Sequence, residues 1–225
     1  MADDELDAAA SRYIVHRTTQ PGTALLDLDD GAWSGTPQVA WGPEPYRTAF
    51  GARWDDVGLY VRFDVHDPSP WSTMTRHDEH LWEEEVVEIF IDPNLTGRGY
   101  AELEISPANV ICDVRMIAPW PNKEMDLSWH FASLRSRVHE WRDAAGRTLG
   151  WRAVACLPWT DFESLPTSVP LPPRVGDGWR FNVFRIKRPG GPTRPEEGAI
   201  LVAWSPTGSP SFHEPAAFRP LVFAD

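Results

Sequence analysis

Glu88 lies inside the apolar run Val86-Val87-Glu88-Ile89-Phe90-Ile91, and Tyr100, Glu102 and Glu104 occupy alternate positions of Tyr100-Ala101-Glu102-Leu103-Glu104-Ile105. A carboxylate in such a run is either paired and half-buried or set at the rim of a cleft, because an unpaired buried charge is costly. Alternate residues of a strand share a face, so the Tyr100, Glu102 and Glu104 stripe stands opposite Ala101, Leu103 and Ile105. That stripe either lines a concave sheet face or is the solvated side of an antiparallel sheet. Arg185, on a later segment, is a candidate partner for these acids or a donor to a ligand hydroxyl. The chain also holds 12 tryptophans in 225 residues, several beside acidic residues. An indole can cover the apolar C–H face of a pyranose while carboxylates and guanidinium groups bond the hydroxyls at its edge. For any one ring, the competing role is core.

Other chemistries find less support. Glycoside hydrolysis needs two carboxylates astride one bond, and an abundance of acids is not such a pair. Glu83, Glu84 and Glu85 read as a solvated run ahead of a strand. No G-x-S-x-G, P-loop or G-x-G-x-x-G is present, and the prolines of Arg188-Pro189-Gly190-Gly191-Pro192 remove backbone donors that a phosphate cradle would need. His77-Asp78-Glu79-His80 has H-x-x-H spacing but no third ligand in sequence, so it reads as a solvated loop. His213, beside Phe212, is a candidate hydrogen-bonding group at a cleft mouth or a surface histidine. Cys112 and Cys156 lie far apart in sequence and read as separate buried thiols.

The elements that must position these residues are strands. Leu59-Tyr60-Val61-Arg62-Phe63-Asp64-Val65-His66 alternates apolar with mostly polar residues, as a half-buried strand does, after a turn at Asp55-Asp56-Val57-Gly58. Val86 to Ile91 is a strand ended by Asp92-Pro93-Asn94, and Gly97-Arg98-Gly99 turns the chain into Tyr100 to Ile105. Further strands are predicted at Val110 to Met116, Arg135 to Trp141, Gly150 to Leu157, Trp179 to Lys187 and Leu201 to Trp204. Leu165 to Gly178 and Arg188 to Gly198 are Pro-rich surface loops, and no long amphipathic helix appears. Many short strands with Gly/Pro turns predict an all-β, single-domain β-sandwich over residues 1–225, its core from about 12 to 223.

The net charge of −12, from 33 acidic and 21 basic residues, disfavours nucleic acid or an anionic membrane as partner and suits a neutral or cationic ligand. The acidic start Met-Ala-Asp-Asp-Glu-Leu-Asp-Ala-Ala-Ala lacks the basic and apolar regions of a secretory signal, so the expected location is the cytoplasm. Apolar runs are too short to span a bilayer.

An ordered set of motifs carries a resemblance over about Thr48 to Phe223. Arg53-Trp54-Asp55 with Leu59-Tyr60-Val61 is followed by Leu81-Trp82-Glu83-Glu84-Glu85-Val86-Val87-Glu88-Ile89-Phe90-Ile91-Asp92. Then come Gly150-Trp151 with Leu157-Pro158-Trp159, Arg180-Phe181-Asn182, Trp204-Ser205-Pro206, and Phe212-His213-Glu214-Pro215 with Phe218. This set resembles carbohydrate-binding module family 9. The resemblance implies a DOMON-like, jelly-roll or immunoglobulin-like sandwich that holds the end of a glucan or xylan chain between two aromatic rings, without catalysis. It places Trp82 as one wall and Phe212 where the second ring, usually Trp, is expected. Glu88 matches the acid that bonds sugar hydroxyls, whereas Glu104 falls where an Arg is expected. Family members bind structural calcium, which makes Asp64, Asp67 and Asp92 candidate ligands. An alternative from the same sandwich superfamily is a haem-binding electron-transfer module, for which Met74, Met116, His77 and Lys123 are the candidate axial ligands. A glycoside hydrolase of unassigned type is the other.

Overall fold

The computed structural model describes residues 12–28 and 30–225. The acidic segment read above for a signal lies outside the described residues, apart from which the chain is almost wholly strands and turns. Among the described residues, thirteen strands form one continuous, curled sheet: β1 (Tyr13–Arg17), β2 (Gln38–Trp41), β3 (Thr48–Trp54), β4 (Gly58–His66), β5 (Val86–Asp92), β6 (Tyr100–Ile105), β7 (Ile111–Ala118), β8 (Glu124–Asp126), β9 (Arg135–Arg142), β10 (Thr148–Pro158), β11 (Gly178–Lys187), β12 (Ile200–Ala203) and β13 (Arg219–Ala224). The helices are short, α1 (Gly22–Leu26) and α2 (Trp159–Phe162). None of the described helices is long and apolar enough to cross a membrane.

Hydrogen bonding runs in the order β8-β7-β6-β5-β11-β13-β1-β3-β4-β10-β9, with β12 added to β11 and β2 to β3. All neighbours are antiparallel except β1, which is parallel to both β13 and β3. The two halves of this sheet fold over a common core. Alternation supplies it: Val87, Ile89 and Ile91 of β5, Ala101, Leu103 and Ile105 of β6 and Val183 of β11 meet Leu59, Val61, Phe63 and Val65 of β4 and Ala153, Ala155 and Leu157 of β10. Most tryptophans took the core role, with Trp33, Trp41, Trp54, Trp129, Trp151, Trp159 and Trp179 all buried.

The strands predicted from alternation are present, with ends unchanged or moved by one or two residues. β1, β2, β3, β8 and β13 were not read as strands; β8 and β2 are too short for a period to register, and β1 and β13 gain their pairing from each other across the whole chain. β4 is also more buried than a half-buried strand. Its second face carries Tyr60 and Arg62, which are covered because α1 and Trp33 pack there. The Gly97-Arg98-Gly99 turn is formed as expected, both glycines taking left-handed φ values of 70° and 69°.

Each half of the sandwich therefore has an outward face. One, on β4 and β10, is roofed by α1, where Leu25, Leu26 and Trp33 pack on Tyr60, Val154 and Cys156. The other, on β5, β6, β7 and β11, carries Val86, Phe90, Tyr100, Cys112, Val114, Met116, Phe184 and Ile186, with Trp82 and Phe212 packed above them. Cys112 and Cys156 thus sit on opposite outward faces as separate buried thiols, as expected.

Candidate functional site

The second outward face is hollowed into a pocket of about 180 Å³. Its floor is set by strand register. Glu88 of β5 stands directly across from Glu104 of β6, and Glu102 is two residues further along the same face. Like charges at directly opposed positions are unfavourable in a sheet, so the triad is held by the fold around it and adds nothing to its pairing. Val114, Met125 and Ile186 complete the floor. The walls come from turns at the strand ends: Trp82 from the single turn Leu81–Glu83 ahead of β5, Lys123 from the β7–β8 connection, Arg188 just past β11, and Pro210, Phe212 and His213 from the loop between β12 and β13.

The rings are well supported. Phe212 stacks on Phe184 with centroids 4.4 Å apart, and His80 stacks on Trp82 at 4.4 Å from outside the pocket. Lys123 Nζ lies 5.9 Å from the Trp82 ring on the pocket side. Trp82 and Phe212 both remain partly exposed, as stacking walls must be.

The acids are pushed toward their neutral forms. Burial raises Glu102 to about 7, and burial together with the neighbouring carboxylates holds Glu88 and Glu104 well above the usual carboxylate range. Lys123 opposes this at all three. The proton of His213 can be assigned from its partners. Lys123 Nζ, which can only donate, lies 3.2 Å from Nε2, so Nε2 accepts and Nδ1 carries the hydrogen it donates to Tyr100 Oη at 3.1 Å. Burial and Lys123 keep this imidazole neutral by lowering it to about 3.

Two polar atoms of the pocket residues are buried without a hydrogen-bond partner, Glu104 Oε2 and Arg188 Nε. Such orphans are rare in folded proteins, and both belong to pocket-lining side chains. The rest of Arg188 is committed: Nη1 donates to Glu196 at 2.7 Å and Nη2 to the Trp82 carbonyl at 2.9 Å, which fixes the indole's backbone.

Of the sequence-derived site residues, Trp82, Glu88, Glu102, Glu104, Phe212 and His213 converge here. Tyr100 is fully buried beneath them and acts through its bond to His213. Arg185 is a correction. It pairs with Val87, so it faces the core side of β11 while Glu88 pairs with Phe184 on the outward side. There its guanidinium meets Asp67 at 2.9 Å and Glu85 at 3.2 Å, with Lys187 binding the same two acids. Glu84 and Glu85 are a second correction, since neither is solvated. Glu84 accepts from Thr73 N at 2.7 Å, tying down the loop before Trp82, and Glu85, raised to about 7 by burial, belongs to the Arg185 cluster. Lys123 and Arg188 were missed as site residues; as single cations in turns they carry no periodic signal.

The calcium candidates do not assemble a site. Asp64 accepts from Arg62 at 2.8 Å and Arg152 at 2.5 Å, Asp67 is held by Arg185 and Lys187, and Asp92 accepts the Gly97 and Asn94 amides. Their oxygens are already engaged in three separate places, so they do not fit a shared cation. The haem-ligand candidates also scatter: Met116 is fully buried, His77 lies beside Asp78 and Asp113, and Lys123 lines the pocket.

Fold and pocket together define a β-sandwich with a cleft built on an outward sheet face. Residues 29–106 match the family model described as "Carbohydrate family 9 binding domain-like". The chain thus resembles carbohydrate-binding module family 9 in sequence over that stretch, and shares its fold over nearly its whole length. It is 33% identical over 93 residues to endo-1,4-beta-xylanase A of Thermotoga neapolitana, a match that takes in 38% of this chain and spans 8% of the xylanase. A family 9 module from Caldicellulosiruptor kristjanssonii, solved with cellotriose, superimposes with a TM-score of 0.63 at 15% identity, covering 95% of this chain and 93% of that one. A candidate carbohydrate-binding protein from Bacteroides uniformis gives a TM-score of 0.68 at 19% identity, covering 95% of this chain and 99% of that one.

Proposed function

We propose that the pocket binds the end of a carbohydrate chain, of glucan or xylan type, without cleaving it. The observation that carries this reading is the convergence of two partly exposed rings, Trp82 and Phe212, with Glu104 and Arg188, pocket-lining side chains that each keep one polar atom without a partner. The rings offer flat apolar faces for pyranose C–H groups, and the orphans offer an acceptor and a donor for hydroxyls. Because burial favours protonation of Glu88 and Glu104, each carboxyl can donate as well as accept, which matches the two-way hydrogen bonding of a sugar hydroxyl. A volume of about 180 Å³ falls below the ~300–1,000 Å³ of pockets for drug-sized ligands, which suits a chain end. The glucan ligand of the Caldicellulosiruptor module supports the same choice of class.

Hydrolysis is disfavoured by geometry. The three acids lie on adjacent positions of two strands, their ligand atoms within 4.8 Å of one another, on one side of the pocket. A glycosidase places its two carboxyl groups on opposite sides of the scissile bond, about 5–5.5 Å or ~6.5–9.5 Å apart.

A second reading differs in the ligand's charge. Three carboxyl groups in the floor, one of them where the family resemblance expects an arginine, favour a sugar bearing an amino group over a neutral one. Calorimetric titration at neutral pH with cello-oligosaccharides, xylo-oligosaccharides and glucosamine oligomers tests both. Binding of a neutral oligosaccharide that is lost in Trp82→Ala supports the first reading, preference for the amino sugar supports the second, and no binding by any of the three removes the proposal.

A further inference from the structure

A second cluster of polar side chains lies away from the pocket, where three segments meet: His77 and Asp78 from the loop ahead of Trp82, Asp113 from β7, and His130 from the connection between β8 and β9. One ligand atom of each falls within 4.8 Å of all the others. His77 Nδ1 is 2.9 Å from Asp78 Oδ2 and His77 Nε2 is 3.0 Å from Asp113 Oδ1, while His130 Nδ1 is 3.5 Å from the first oxygen and 3.6 Å from the second.

We propose that these four side chains form a binding site for a divalent transition metal of the zinc class. Two observations beyond the clustering point to a ligand. Asp113 is fully buried, yet its Oδ1 has no hydrogen-bond partner, since His77 Nε2 approaches without the alignment a hydrogen bond needs. In addition, each carboxylate has its other oxygen taken by a backbone amide. Asp113 Oδ2 accepts from Phe131 N at 2.5 Å, and Asp78 Oδ1 accepts from Asp113 N at 3.4 Å. Those bonds turn Asp113 Oδ1 and Asp78 Oδ2 toward the two imidazoles, which is how outer-shell groups orient metal ligands.

The donor set selects the ion. Two imidazole nitrogens and two carboxylate oxygens suit a four-coordinate zinc-class ion, whereas calcium takes six to eight oxygens, and two imidazoles supply none. Two carboxylates neutralise a divalent charge. The rings are half-exposed, at 50% and 40% of their side-chain surface, so an ion can enter from solvent. Bound there, it would staple the loop carrying His77 to β7 and to the segment before β9.

The site needs no sugar for its test. Tag-free protein stripped with chelator is titrated with zinc, cobalt and calcium, following heat of binding, thermal unfolding and the cobalt absorption spectrum. The expected result is one zinc per chain with a raised Tm, intense visible bands from four-coordinate cobalt, and no comparable effect of calcium. Because both histidines are half-exposed, the double variant His77→Ala/His130→Ala is expected to stay folded and to lose at least tenfold in zinc affinity together with the cobalt bands. Binding well below one zinc per chain, unchanged zinc affinity in the folded double variant, or an equal Tm rise with calcium would each overturn the proposal.

Discussion

The two outward faces of the sandwich are built from the same kind of strand and treat charge in opposite ways. On the β4 and β10 face, Arg62, Asp64, Arg152 and Asp30 form a closed set of ion pairs at 2.5–2.8 Å. On the β5 and β6 face, Glu88, Glu102 and Glu104 gather with Lys123 as their nearest cation, and Glu104 keeps an oxygen without a partner. A closed set of charges is a structural device. An incompletely satisfied one under two partly exposed rings carries a free-energy cost that a ligand can relieve. The lesson is that composition is a poor guide to which acids matter, while the presence or absence of partners on each face is a good one.

The largest effect that would sharpen this contrast is on the closed face. Trp33→Ala, in the cluster under α1, is expected to cost roughly 3–5 kcal/mol of stability and to leave oligosaccharide affinity unchanged in whatever fraction remains folded. Denaturant unfolding and calorimetry on the same sample check both halves. Next, Trp82→Ala is expected to do the reverse. Its contact is worth about 1–3 kcal/mol of affinity, a loss of tenfold or more, with little change in unfolding. A large stability loss instead would make Trp82 a core residue and erase the difference between the faces.

A third test uses pH. A carboxyl whose folded pKa is raised above its unfolded value gives the folded state extra protons, so its contribution is fully present below about 4.5 and is lost as pH rises through the folded value, about 7 for Glu102 and higher than ordinary for Glu104. Glu104→Gln keeps the shape of the protonated form and removes the titration. The variant is therefore expected to gain Tm relative to the unaltered protein as pH rises from 5 to 8, at roughly 2–4 °C for each kcal/mol. Parallel Tm curves for the two proteins would show that Glu104 stays ionised. His213, lowered to about 3, acts in the opposite direction below 6.5 but is common to both proteins and cancels in the comparison.

The smallest expected effect is at Trp120, 48% exposed, whose amide donates to the His213 carbonyl at 3.1 Å. That bond puts its backbone beside the pocket wall. Trp120→Ala is expected to weaken binding of longer oligosaccharides by a few-fold at most and to leave monosaccharide affinity unchanged, as calorimetry with a length series would report.

The sequence made the floor of the cleft legible and left much of the wall hidden. Glu88, Glu102 and Glu104 are visible because a period-two pattern states which side chains share a face, and the register of β5 against β6 then brings them together. Arg185 defeated the same reasoning because its face depends on the register of β11 against β5, which no pattern within β11 reveals. Glu84 and Glu85 look solvated in a run of three acids, yet the residues that bury them, Thr73 and Arg185, lie about ten and one hundred positions away. His77-Asp78-Glu79-His80 reads as a solvated loop in sequence for the same reason, since Asp113 and His130, which cluster with His77 and Asp78, come from later segments.

The central claim, that the acid-and-ring face and not the ion-paired face is the binding surface, is tested most directly by amide and indole NMR shift mapping during titration with a cello- or xylo-oligosaccharide. Saturable shifts are expected at Trp82, Glu88, Glu104, Lys123 and Phe212, with Arg62, Asp64 and Arg152 unmoved. Saturable shifts centred on Arg62 and Arg152, or none at Trp82 and Phe212 at a concentration that saturates binding, would contradict it.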